Sequence, residues 1–134
     1  MRGGMDVDGA MDFLRAYWAC VAAQDAEGLA SYFWPDAEIF WHCTNERFTV
    51  QSFIQANCTY PGRWRGEVER VARDGELLVA AVRVWSDEAS FHVCAFLRLE
   101  AGRSRRIDEY WGDDGEPPAW RRALRLGSPI RPEA

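Results

Sequence analysis

Glu109 and Arg83 are the residues whose surroundings most suggest chemistry. From Ile107 to Trp111 the chain alternates Ile107, Glu109, Trp111 with Asp108, Tyr110. On a strand, successive side chains point to opposite faces, so Glu109 shares its face with an isoleucine and a tryptophan. Arg83 interrupts a second apolar row, Leu77, Val79, Ala81, Trp85. An unpaired charge in apolar surroundings is costly, so the economical expectation is that both face one cavity and meet there. Glu109 would then serve as general base and Arg83 would stabilise developing negative charge. Burial would raise the Glu109 pKa and Arg83 would lower it, which leaves the sign of the shift open. A purely structural ion pair inside the fold explains the same two residues.

A second cluster is Trp41-His42-Cys43-Thr44-Asn45-Glu46. His42 would supply or accept a second proton, a role histidine side chains commonly take. Asn45 and Glu46 would hydrogen-bond a ligand that Trp41 walls. A rim histidine followed by turn residues accounts for the same pattern, because Asn favours turns by itself. Asn57, Tyr60 and Trp64 follow the third helical stretch and would close the cavity, though Tyr60 serves equally as an aromatic anchor. Trp85, His92 and Trp111 complete the expected ligand-binding set. His92 shares its face with Cys94 and Phe96, opposite Phe91, Val93 and Ala95, and alternation alone does not say which face lines the cavity. His42, His92 and Glu109 are candidate metal ligands, but their spacing matches no compact motif, so no metal and no other cofactor is expected. The chain has no Lys, no Gly-rich nucleotide loop and no G-x-S-x-G elbow, which removes Schiff-base, phosphate-loop and nucleophilic-serine chemistry.

These residues need elements to hold them. Asp6 or Asp8 caps a helix running to about Gln24, with Leu14, Tyr17, Trp18 and Val21 on one face. Asp25 starts a short second helix carrying Leu29, Tyr32 and Phe33, which Trp34-Pro35-Asp36 ends. Glu38–Cys43 reads as a strand. Thr49 caps a third helix with Phe53 and Ile54 inward. Arg65–Arg73, Glu76–Ser86, Ser90–Glu100 and Arg103–Trp111 read as four strands, with Asp74-Gly75 and Ala101-Gly102 as turn signals. Helices followed by a meander give an α+β fold with the helices on one face of the sheet. The stretch from Leu77 to Trp85 is apolar on both faces, so both need cover. Helices cover one, and a second copy of the chain is expected on the other, as a homodimer through the sheet. Residues 6–122 form one domain between tails 1–5 and 123–134, and Trp120 is expected to pin the second tail.

Composition narrows the partners. The 134 residues carry a net charge of −5, which argues against nucleic-acid and anionic-membrane binding. No apolar stretch is long enough to span a bilayer. Cys20, Cys43, Cys58 and Cys94 form no C-x-x-C pair and read as small, mostly buried thiols of a cytoplasmic protein. Seven Trp, seven Phe and four Tyr suit an aromatic-lined cavity for a small ligand.

Helix–helix–strand–helix followed by a long meander resembles the nuclear-transport-factor-2-like (SnoaL-like) superfamily. Phe33-Trp34-Pro35-Asp36-Ala37 and Ile107-Asp108-Glu109-Tyr110-Trp111 carry the resemblance. Trp41–Glu46, Asn57–Gly62 and Asp108–Asp114 look like a bacterial branch of it. The resemblance implies a cystatin-like roll: a cone of curved antiparallel sheet, four meander strands plus a short N-terminal strand, packed on three helices. It implies either a cofactor-independent isomerase, cyclase or hydratase acting on a small apolar molecule, or a non-catalytic ligand- or partner-binding dimer. In the limonene-epoxide-hydrolase branch, an Arg and an acid match Arg83 and Glu109. A second Asp of that branch matches Trp85, so the acid pair is incomplete here.

Overall fold

A computed structural model describes residues 6–131. Helix α1, Val7–Ala23, starts where the Asp6 carboxylate accepts the Gly9 N–H at 2.7 Å and stops where Gln24 turns left-handed. Asp25 caps the short α2, Ala26–Ala30, in the same way. Strand β1 is Phe33–Trp41, followed by one 3-10 turn, His42–Thr44, and a short β2, Glu46–Thr49. Thr49 and Ser52 cap each other reciprocally to start α3, Val50–Thr59. The meander is β3, Arg65–Asp74; β4, Leu77–Trp85; β5, Ser90–Glu100; and β6, Arg103–Asp113. A short α4, Ala119–Ala123, follows.

The six strands form one open sheet in the order β2-β1-β6-β5-β4-β3. All neighbours are antiparallel except β1 and β6, which run parallel. Register shifts in β3, at the β5–β6 pairing and in β1 bend the strands, as bulges do, so that the sheet curls around the helices. Leu14, Tyr17, Trp18 and Val21 of α1 and Phe53 of α3 bury against Ile39, Leu78, Val82, Val93, Leu97 and Ile107 on the sheet's inner face.

The α+β cone expected from the sequence is the fold observed, with differences of detail. The sheet has six strands and the described residues have four helices. Phe33 belongs to β1 rather than to the second helix, because β1 begins before Pro35 and runs on to Trp41. Pro35 is tolerated there because pairing with β6 breaks off between Phe33 and Glu38. Trp120 does not pin the tail: it is 65% exposed. The tail is held instead by Arg131, which donates to Glu69 at 2.9 Å. The four cysteines are free and none is fully buried, with Cys43 exposed. Residues 1–5 and 132–134 of the expected tails lie outside the described residues.

Candidate active site at the open end of the cone

The alternation of β6 turns Ile107, Glu109 and Trp111 inward. Register places Glu109 beside Ala95 of β5 and beside Trp41 of β1. Glu109 is 1% exposed, the one carboxylate in the buried core among the described residues. Its Oε1 accepts the Trp111 indole N–H at 2.9 Å. The Trp41 indole N–H favours the anion from close by but lies outside hydrogen-bond geometry, so that atom, like the Tyr17 hydroxyl, is buried with no hydrogen-bond partner in the protein. Burial pushes the Glu109 pKa up to about 7, against the pull of Trp111 and Trp41 toward the anion. The Tyr17 pKa is driven well up by burial and then by the neighbouring Glu109.

Trp41 and Trp111, the register neighbour and the hydrogen-bond partner of Glu109, line a cavity of about 680 Å³ that Glu109 itself does not line. The C-terminal ends of α1 and α3 form its other wall, with Val21, Asn57 and Tyr60, and Val84 and Phe91 close it from the meander. Gln24 donates to the Asn57 carbonyl at 2.8 Å, and Asn57 Nδ2 donates to the Val21 carbonyl at 3.1 Å. These bonds tie the ends of α1 and α3 together.

The cavity therefore gathers Trp41, Asn57, Tyr60 and Trp111 from the expected set, with Glu109 beneath them. The rest lie elsewhere. Arg83 and Glu109 do not meet: in β4 it is Leu78, Ala80, Val82 and Val84 that face inward. Arg83 is thus on the outer face, where its guanidinium sits 4.3 Å over the Trp85 ring. Trp85 is consequently no cavity wall. With no cation beside Glu109, desolvation decides the sign left open by the sequence. His42 is also on the outer face. Its Nε2 pairs with Asp108 at 2.8 Å, and its ring stacks on Tyr110 at 4.5 Å. Burial raises the Asp108 pKa, but bonds from Arg106 and His42 outweigh it and hold that carboxyl below its usual range. His92 lies on the same outer face, between Asp114 and Glu69. Hydrogen bonds from Ser90 and His92 likewise overcome burial and lower the Asp114 pKa. Asn45 adopts a left-handed turn conformation, and Glu46 accepts the Thr44 hydroxyl at 2.7 Å; neither lines the cavity. The candidate ligand trio of His42, His92 and Glu109, for which no metal was expected, is split across the sheet. Among the described residues no three His, Cys, Asp or Glu side chains gather as a metal site.

Tyr17 and Gln24 were not singled out by the sequence. Tyr17 reads as one more apolar-face residue of α1, and nothing in a helical period separates a core tyrosine from one beside a buried acid.

No protein-family profile matches the sequence, and no curated protein matches it. Solved structures do. The chain superposes with a TM-score of 0.75 on a candidate ketosteroid isomerase from Kribbella flavida, 24% identical, covering 94% of this chain and 93% of that one. A nuclear-transport-factor-2-like protein of unknown function from Burkholderia xenovorans gives 0.75 at 21% identity, over 96% of this chain and 100% of that one. A protein of ketosteroid isomerase-like fold from Catenulispora acidiphila, in complex with trimethylamine, gives 0.64 at 12% identity, over 74% and 84%. The fold is the nuclear-transport-factor-2-like cone. No helix among the described residues is long and apolar enough to cross a membrane.

Proposed function

We propose that the cavity binds a small, largely apolar organic molecule and that Glu109 is the general base of a cofactor-independent proton transfer, of the kind that drives isomerisation, cyclisation or hydration. One observation carries this reading: a fully buried carboxyl, its pKa raised to about 7, is hydrogen-bonded to Trp111 and paired in register with Trp41, two walls of an aromatic cavity. A base works best when its pKa lies near the working pH, because it is then both available and strong enough to take a proton. The Trp111 N–H, already on Oε1, orients the carboxylate and makes up part of the hydration it loses. Arg83 and His42 have no part in this reading, since both lie across the sheet.

A non-catalytic ligand-binding domain is the second reading. It is favoured by the 1% exposure of Glu109, which a bound molecule touches only if the Trp41 and Trp111 rings part. The trimethylamine complex of the 12% identical neighbour supports ligand binding in this fold without supporting chemistry. The outer face of the sheet is proposed to seat a second copy of the chain, and the unpaired cysteines suit a reducing compartment such as the cytoplasm.

Exchange of the α-hydrogens of 2-indanone in heavy water, followed by NMR, separates the readings. A general base accelerates exchange whatever the natural net reaction is. The wild type is expected to exceed Glu109→Gln by about 100-fold or more, with ketone affinity unchanged. Equal rates for the two proteins would leave only the binding reading.

A further inference from the structure

The charge around the cavity is one-sided. The chain has 16 arginines and no lysine, yet among the described residues no Arg or His side chain lines the cavity, and the only charged lining residue is Asp113. The two lining amides are engaged elsewhere: Gln24 donates to the Asn57 and Tyr60 carbonyls, and Asn57 to the Val21 carbonyl. An anionic ligand would find no cation and few free donors here.

A cation would find the opposite. Tyr60, Trp64, Phe91 and Trp111 run as a continuous aromatic wall. Tyr60 stacks on Trp64 at 5.1 Å, Trp64 leans on Phe91 at 5.8 Å, and Phe91 meets Trp111 edge-on at 6.1 Å. Aromatic faces carry the negative part of the ring quadrupole, which attracts ammonium groups and needs no hydrogen bond from them. Behind that wall the Trp111 N–H is bonded to the Glu109 carboxyl, so a second potential negative charge lies one layer deeper than Asp113.

We infer that the ligand of this cavity is a small organic cation, a tertiary or quaternary ammonium on an apolar body, held against the aromatic wall with Asp113 and Glu109 as its counter-charges. The inference rests on the reading of the cavity as a ligand site and adds the chemical class of the ligand. Because a positive charge nearby favours the ionised form of Glu109, the bound cation would itself help to generate the base.

The test uses the full chain and two probes of one shape: benzyltrimethylammonium and neopentylbenzene, its uncharged carbon isostere. Both are titrated by tryptophan fluorescence in one buffer at pH 8. The ammonium is expected to bind about tenfold more tightly, the scale of a desolvated cation–π contact. In the double variant Glu109→Gln, Asp113→Asn that preference should fall severalfold while the affinity for neopentylbenzene stays the same. Equal affinity of the two probes, or a preference unchanged in the double variant, overturns the ammonium assignment and leaves the ligand cavity standing. Failure of both probes to bind overturns the cavity reading as well.

Discussion

Glu109 is a carboxyl whose proton is held more tightly in the folded chain than in the unfolded one, its pKa rising from 4.5 to about 7. Between those values the folded state keeps a proton that the unfolded state has lost, so stability falls as pH rises through this window and is level above it. A rise of that size corresponds to about 3 kcal/mol at most. Glu109→Gln is neutral at every pH and escapes the loss. Urea unfolding at pH 5 and pH 8 should therefore show the variant gaining on the wild type by up to about 3 kcal/mol at the higher pH. Asp108 and Asp114, whose pKa values are lowered, are common to both proteins and cancel in the comparison. A difference that does not change with pH would mean that Glu109 is not desolvated, and the base would go with it. Glu109 was legible in the sequence because it interrupts an otherwise apolar row, although the same pattern in β4 misplaced Arg83. Its supposed partner was not. Alternation says which residues of one strand share a face, but it does not relate the faces of two strands. In β4 both rows are apolar, so Arg83 could be put on either side until the register with β5 and β6 was known.

The turn from β5 to β6 shows how an element can be right in place and imperfect in chemistry. Ala101 and Gly102 are its two central residues, and both have positive φ, at 48° and 82°. Two-residue hairpins of this kind match the twist of the strands they join and favour Asn-Gly. Glycine adopts such a conformation freely, whereas alanine carries a Cβ that crowds the following carbonyl. Ala101→Asn is expected to stabilise the chain by about 1 kcal/mol, seen as a shift of the urea midpoint at unchanged slope. Probe affinity should be unaffected, since this turn lies at the strand ends away from Phe91 and Trp111. No gain in the midpoint would show that the strain is already relieved locally. The meander strands were legible almost to the residue because turn signals and alternation agree there. The segment from Phe33 to Thr49 was less so. Trp34-Pro35 is a sound end for a helix, and it also fits the unpaired stretch of a strand, so local chemistry did not choose between them. The four residues of β2 are too few to display a period at all.

Seen whole, the molecule is a sheet with one face committed to the helices, Glu109 and the cavity, and another that no helix among the described residues covers. Along the centre of that outer face Ala81, Cys94 and Tyr110 lie side by side by register, with Phe96 packed edge-on to Tyr110 at 6.0 Å. Tyr110 is 45% exposed. Ion pairs frame this apolar strip: His42, Asp108 and Arg106 at one end, and His92 with Glu69 and Asp114 at the other. An apolar centre within a charged rim is the usual anatomy of a protein interface. A two-fold axis through such a strip would set each copy's rim of both signs against its equal. The proposed dimer predicts that Ala81→Arg, which puts a long charged side chain at the centre of the strip, yields a monomer in analytical ultracentrifugation at micromolar concentrations where the wild type sediments as a dimer. The variant should still fold and still bind the cavity probes, because Ala81 faces away from the core. A wild type that sediments as a monomer at those concentrations, or an Ala81→Arg protein that remains dimeric, would remove the outer face as the seat of a second copy and leave the ligand site untouched.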